Sequence, residues 1–215
     1  MSILHIHKLF TSSPGAWGEL AQTQPPTLKL FVLLVIPFSL VPPLMLEYAG
    51  HHVGATLFAH TPPLTWSMAA LFFLLAELVT VPLMALAIKS VARSKGVASS
   101  DREAFALAAI AAVPLWLSSL ALFYDQVMLI MAGLAMGLAG SVVLIFRGVQ
   151  RILKVEEDLV AAEIAYTVTA LGLIAWVLLV MLGLIPALAR QNAFSGPPGA
   201  TTSGISEEVE RWTQR

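Results

Sequence analysis

No cysteine occurs anywhere in the 215 residues, which excludes disulfides, thiolate catalysis and cysteine-held zinc or iron–sulfur centres. Charge is scarce as well. Asp, Glu, Lys and Arg make up 12% of the chain, about half of what a water-soluble domain carries. No glycine-rich phosphate loop, nucleophile elbow, paired-carboxylate constellation or H-x-x-x-H spacing is present. The residues therefore give no support to an enzyme, a cofactor or a nucleic-acid partner, and the chain reads as non-enzymatic.

What fills the sequence is apolar. Hydrophobic residues account for 58% of the chain and mean hydropathy is +0.83, a composition that in water exposes large apolar patches. The apolar residues are gathered into five runs, 28–46, 64–88, 103–123, 126–146 and 164–188. Most match the ~20 helical residues that a ~30 Å hydrocarbon layer requires. The fold class that follows is all-α: a polytopic membrane protein built as a bundle of five transmembrane helices, with the lipid bilayer as its first partner. Other membrane proteins or a second copy of the chain are further candidates.

Charge placement orders the runs. Lys8 lies ahead of the first and Lys29 at its very start, and the loop after it carries Glu47, His51, His52 and His60 but no Lys or Arg. Lys89, Arg93, Lys95 and Arg102 follow the second run, only Tyr124-Asp125-Gln126 the third, and Arg147, Arg151 and Lys154 the fourth. Basic junctions alternate with basic-free ones, so the positive-inside rule puts the N-terminus in the cytoplasm and the C-terminus on the periplasmic side of an inner membrane. Arg190 is the local exception. Three regions result: residues 1–27 as a cytoplasmic arm, 28–189 as the membrane domain and 190–215 as a disordered external tail rich in Gly, Pro, Ser and Glu. Within the arm, Ser12-Ser13-Pro14 ahead of Trp17 marks a short interfacial helix, with a plain solvated segment as the alternative. An apolar core ending in a cleavage site is missing there, so the first run serves as the insertion signal.

Polar and helix-breaking residues inside the runs are the candidate site. Glu77 falls near the middle of the second run, where a lone carboxylate is costly unless it faces the bundle, carries a proton or finds a hydrogen-bond donor. Thr80 shares its face, and Pro82 withholds a donor from the carbonyl of Leu78, which predicts a kink. Ser39, the Pro114 region, Ser118 and Ser119 lie at comparable depths and are candidates to meet the acid. Two readings stand: a structural acid joining helices, or a proton-coupled or ligand-contacting carboxylate. Prolines 37, 42, 43, 82, 114 and 186 predict broken helices in or beside four runs.

Gly133, Gly137 and Ser141 recur at every fourth position of the fourth run, a small-residue stripe suited to close packing on Ala108 and Ala112 of the third run or on a second copy. The three-residue Tyr124 turn makes those two runs antiparallel neighbours. Glu156, Glu157 and Asp158 are placed to cap or pair with nearby basic residues. His51, His52 and His60 with Glu47 form a weak candidate for a metal, since adjacent loop histidines do not converge easily on one ion, and no metal is expected.

Several stretches occur together in order: Ser13-Pro14 with Trp17, Val81-Pro82-Leu83, the Ala-rich segment from Ala108 to Val113-Pro114-Leu115, Arg147-Gly148-Val149, and Lys154-Val155-Glu156-Glu157. The combination resembles the YIP family, named for proteins that interact with Rab-type GTPases, and in particular its small bacterial inner-membrane branch, to which no activity is assigned. The resemblance implies a five-helix membrane domain with a cytoplasmic N-terminus. Eukaryotic members act in trafficking and membrane shaping through a long N-terminal region with an acidic-aromatic-Gly-Pro motif. The segment ahead of the first run here is short and lacks that motif, so GTPase binding is not carried over. Two functions are expected: a protein that organises membrane or partner proteins, or a small transporter or lipid-handling protein working through Glu77 and proline-broken helices.

Overall fold

The computed structural model describes residues 25–52, 63–124 and 126–194. Five helices are long and apolar enough to cross a membrane: α1 (Thr27–His51), α2 (Pro63–Ser94), α3 (Asp101–Phe123), α4 (Val127–Arg151) and α5 (Asp158–Phe194). No strand occurs among the described residues. The chain is therefore a multi-pass membrane protein, and each helix coincides with one apolar run. At 32 and 37 residues, α2 and α5 measure roughly 48 and 55 Å. They outrun the hydrocarbon layer, and the basic end of α2, from Lys89 to Ser94, projects as helix beyond the apolar run.

α3 is the hub. Of its most apolar stretch 56% is buried, against 22% in each of the other four spans. The sequence explains this: a helix enclosed on every side needs small side chains so that neighbours can approach closely, and α3 supplies Ala104, Ala106, Ala108, Ala109 and Ala111, all buried. Around it Leu107, Ile110 and Val113 meet Val35 of α1, Ile88 of α2, Leu144 and Val149 of α4, and Ile164 and Val168 of α5 in one cluster. This cluster draws on the halves of the helices nearest the basic junctions. The outer faces stay apolar. Leu71, Leu75, Val79, Leu83 and Leu86 form an exposed line along α2 that faces lipid.

Prolines act differently in different spans. α1 carries three of them within seven positions and is interrupted twice, by a π turn over Phe31–Val35, where Ile36 N–H donates to the Phe31 carbonyl, and by a turn at Leu40. Pro82 lies inside the continuous helix α2 and Pro114 inside the α-helical part of α3, which tightens to a 3-10 turn only over Ser119–Phe123. Each withdraws a single N–H from its ladder. The interruption expected of several spans is thus confined to the one with clustered prolines.

The link between α2 and α3 is fixed at both ends. Gly96, at φ +76°, donates to the Arg93 carbonyl (3.0 Å), and Val97 N–H reaches the Ala92 carbonyl (2.9 Å), a Schellman arrangement that needs a left-handed residue where glycine stands. At the other end Ser100 caps α3. Its hydroxyl accepts from Glu103 N–H (3.2 Å) while the Glu103 carboxylate accepts from Ser100 N–H (2.9 Å).

The proposed interfacial helix with Trp17, His60 and the tail from residue 195 on lie outside the described residues. α5 continues to Phe194, past the boundary drawn at residue 189. No Gly or Pro stands between Pro186 and Gly196 to stop it.

Candidate functional site

Glu77 sits on the bundle side of α2, in line with the buried residues Ala70, Val81, Ala85, Ile88 and Ala92. It is 9% exposed, whereas Leu75 and Val79 beside it are 56% and 58% exposed. Helical spacing alone accounts for this placement, because seven and four residues separate it from Ala70 and Val81. Its Oε2 is enclosed and has no hydrogen-bond partner among the described residues.

The polar neighbours named from sequence do not converge on it. Thr80 Oγ1 donates to the Ala76 carbonyl of its own helix (2.6 Å). Ser39 donates to Ile36 (3.1 Å), Ser118 to Leu115 (2.7 Å) and Ser119 to Trp116 (2.7 Å), each within its own helix. Such back-bonding satisfies a hydroxyl in lipid without a second helix. Pro114 belongs to a different contact, facing Gly137 and Gly140 of α4.

The small-residue stripe of α4 packs on the outer part of α3. A Cβ at Gly133 would stand 2.6 Å from that of Ala121, and one at Gly137 would stand 2.6 Å from that of Ser118 and 2.9 Å from the Pro114 carbonyl. The tight hairpin brings the start of α4 against the end of α3, so the stripe reaches Pro114 to Ala121 rather than Ala108 and Ala112. Ser141, one turn further, is buried, and its hydroxyl has no partner among the described residues.

At the histidine end, His51 Nε2 lies 3.4 Å from Glu47 Oε1, while His52 stacks on Tyr48 with ring centroids 4.1 Å apart. Glu47 also accepts from Ser67 of α2 (2.9 Å). The Ser67–Glu47 bond ties α1 to α2, and the two adjacent histidines take separate partners at the end of α1.

The basic end holds what sequence reading missed. Three lysines are matched to carboxylates across elements: Lys89 to Asp101 (2.5 Å), Lys95 to Glu163 (2.6 Å) and Lys154 to Glu103 (3.6 Å). Arg93, Arg102, Arg147 and Arg151 have no carboxylate partner among the described residues. Of the acids expected to serve there, Asp158 accepts from Gln150 (3.3 Å) and stands at the first turn of α5. The S-x-x-E spelling at Ser100 and Glu103 was the available signal for the cap.

Two cavities flank the Lys89–Asp101 pair. One, of about 470 Å³, is an apolar groove between Leu28 and Phe31 of α1, Pro82 and Leu86 of α2, and Phe105 of α3, with Asp101 at its rim. The other, of about 440 Å³, is polar and lies among Lys89, Arg93 and the turn 96–100. Neither includes Glu77.

A Yip1 domain model matches residues 8–185, most of the chain. The protein belongs to the Yip1 domain family. Its five spans are thus the Yip1 domain itself, and α2 with its acid, proline and basic end lies wholly within it. No curated protein and no solved structure matches the chain.

Proposed function

We propose that this Yip1 domain protein is a non-enzymatic integral membrane protein of the small bacterial branch, which organises membrane or partner proteins from the inner membrane. Its basic end faces the cytoplasm, with the N-terminus on that side and the C-terminus in the periplasm. One observation carries the reading. Lys89, Lys95 and Lys154 at this end are matched internally, while Lys29, Arg93, Arg102, Arg147 and Arg151 stand without carboxylates among the described residues. Arginine forks hold phosphate and carboxylate groups bidentately, and each basic residue near an anionic leaflet adds about 1 kcal/mol of attraction. Crosslinking in native membranes, followed by purification and identification of what is attached, tests it. Anionic lipid with a membrane-protein partner or a second copy supports the proposal, and recovery of the bare chain counts against it.

A second reading rests on Glu77. A buried acid whose Oε2 has no partner among the described residues, with Pro82 five positions on, supports a small transporter or lipid-handling protein in which that carboxylate moves protons or touches cargo. Proton flux into liposomes carrying the full chain, compared with Glu77→Gln, tests this. Absence of flux under any imposed gradient removes it.

A further inference from the structure

Pro82, Leu86, Lys89 and Arg93 follow one another at spacings of four, three and four along α2, so they line a single face of the helix. The apolar groove opens on the first two and the polar pocket on the last two. From Pro82 to Arg93 the rise is about 16 Å, close to half of a ~30 Å hydrocarbon layer. We infer that this face binds one anionic phospholipid from the leaflet at the basic end, with an acyl chain in the groove and the phosphate headgroup in the pocket beside Arg93. The site deepens the proposed contact of this end with anionic lipid and rests on it.

Chemistry on both sides of the Lys89–Asp101 pair fits that occupant. On the groove side the walls are Leu28, Phe31, Leu86 and Phe105, and each cavity falls within the few hundred cubic ångströms typical of ligand sites. On the pocket side Arg93 is exposed and has no carboxylate partner among the described residues. The amides of Ala98 and Ser99 have no acceptor among the described residues, and Ser99 Oγ is enclosed without a partner. The carboxylates nearby are engaged: Asp101 by Lys89, and Glu103 by Lys154 and by the amide and hydroxyl of Ser100. The Schellman turn at Gly96 and the capping box at Ser100 hold the pocket floor in place, so little ordering is needed to bind.

Native mass spectrometry of the full chain in detergent, with phosphatidylglycerol and phosphatidylcholine of matched chains in equal amounts, reads the site directly. One phosphatidylglycerol is retained preferentially. Arg93→Gln lowers that preference about fivefold, the worth of one basic residue at a headgroup. Leu86→Trp, at a lipid-facing position that tolerates bulk, crowds the groove and lowers retention of the same lipid with Arg93 intact. Arg151→Gln, on α4, leaves it unchanged. Glycerol phosphate, which lacks acyl chains, does not displace the bound lipid, and displacement by it overturns the inference. Equal losses from Arg93→Gln and Arg151→Gln overturn the site while leaving general attraction of the basic end to anionic lipid standing. Equal retention of the two lipids overturns both.

Discussion

Lys95 Nζ and Glu163 Oε2 meet at 2.6 Å although 68 positions separate them in the chain, so the residue after α2 is clasped to the second turn of α5. Together with Lys89–Asp101 and Lys154–Glu103, the contact stitches the basic end with lysine–carboxylate pairs. Lys29, Arg93, Arg102, Arg147 and Arg151 are left without a carboxylate among the described residues.

These pairs are shallow. Lys95 and Glu163 are 38% and 47% exposed, so Glu163→Gln costs below about 1 kcal/mol, and that cost fades at high salt. Ser100→Ala removes a helix cap and costs about 1 kcal/mol at any salt. Thermal unfolding of the full chain in detergent at low and high salt separates the two behaviours.

Gly96 has nothing within 4 Å of the position a Cβ would take, yet its φ is +76°. Gly96→Ala is therefore destabilising by about 1 kcal/mol through backbone conformation alone. The same unfolding assay checks it.

Gly137→Leu drives a side chain into Ser118 and the Pro114 carbonyl, and because backbone cannot yield cheaply it destabilises the α3–α4 hairpin by about 2 kcal/mol or more. Gly172→Ala is the control. The nearest atom there is the Met84 methyl at 3.7 Å, an ordinary contact, and stability changes by less than about 0.5 kcal/mol apart from the gain expected of alanine in a helix.

Glu77→Leu tests the buried acid as structure. No group among the described residues depends on Glu77 for a hydrogen bond, so its replacement leaves no orphan, and unfolding temperature stays level or rises. A clear fall reveals a partner.

Most of this architecture was legible because the solvent imposes it. A lipid-spanning segment must satisfy its own backbone, so run length was enough to mark five helices. The cost of a carboxylate in lipid left Glu77 three outcomes, of which facing the bundle is the one the helical spacing to Ala70 and Val81 delivers. Its surroundings were not readable: whether Thr80 or Ser118 turns toward a neighbour or back to its own carbonyl depends on local rotamers, and all chose their own helix. The stripe on α4 was visible, but its register on α3 follows from the hairpin geometry, which a three-residue turn does not specify. Lysine–carboxylate pairing between Lys95 and Glu163 is a tertiary fact with no local signature, whereas Gly96 and the Ser100–Glu103 spelling carried signals in plain view.

Orientation decides whether the unpaired arginines face the anionic leaflet at all. The absence of cysteine makes every introduced thiol a unique reporter. His52 and Ala98 are exposed at opposite ends of the bundle, so a membrane-impermeant maleimide applied to intact cells reads the topology from His52→Cys and Ala98→Cys. With the basic end in the cytoplasm, position 52 is labelled and position 98 is not until the membrane is permeabilised. Labelling at 98 with protection at 52 contradicts that orientation.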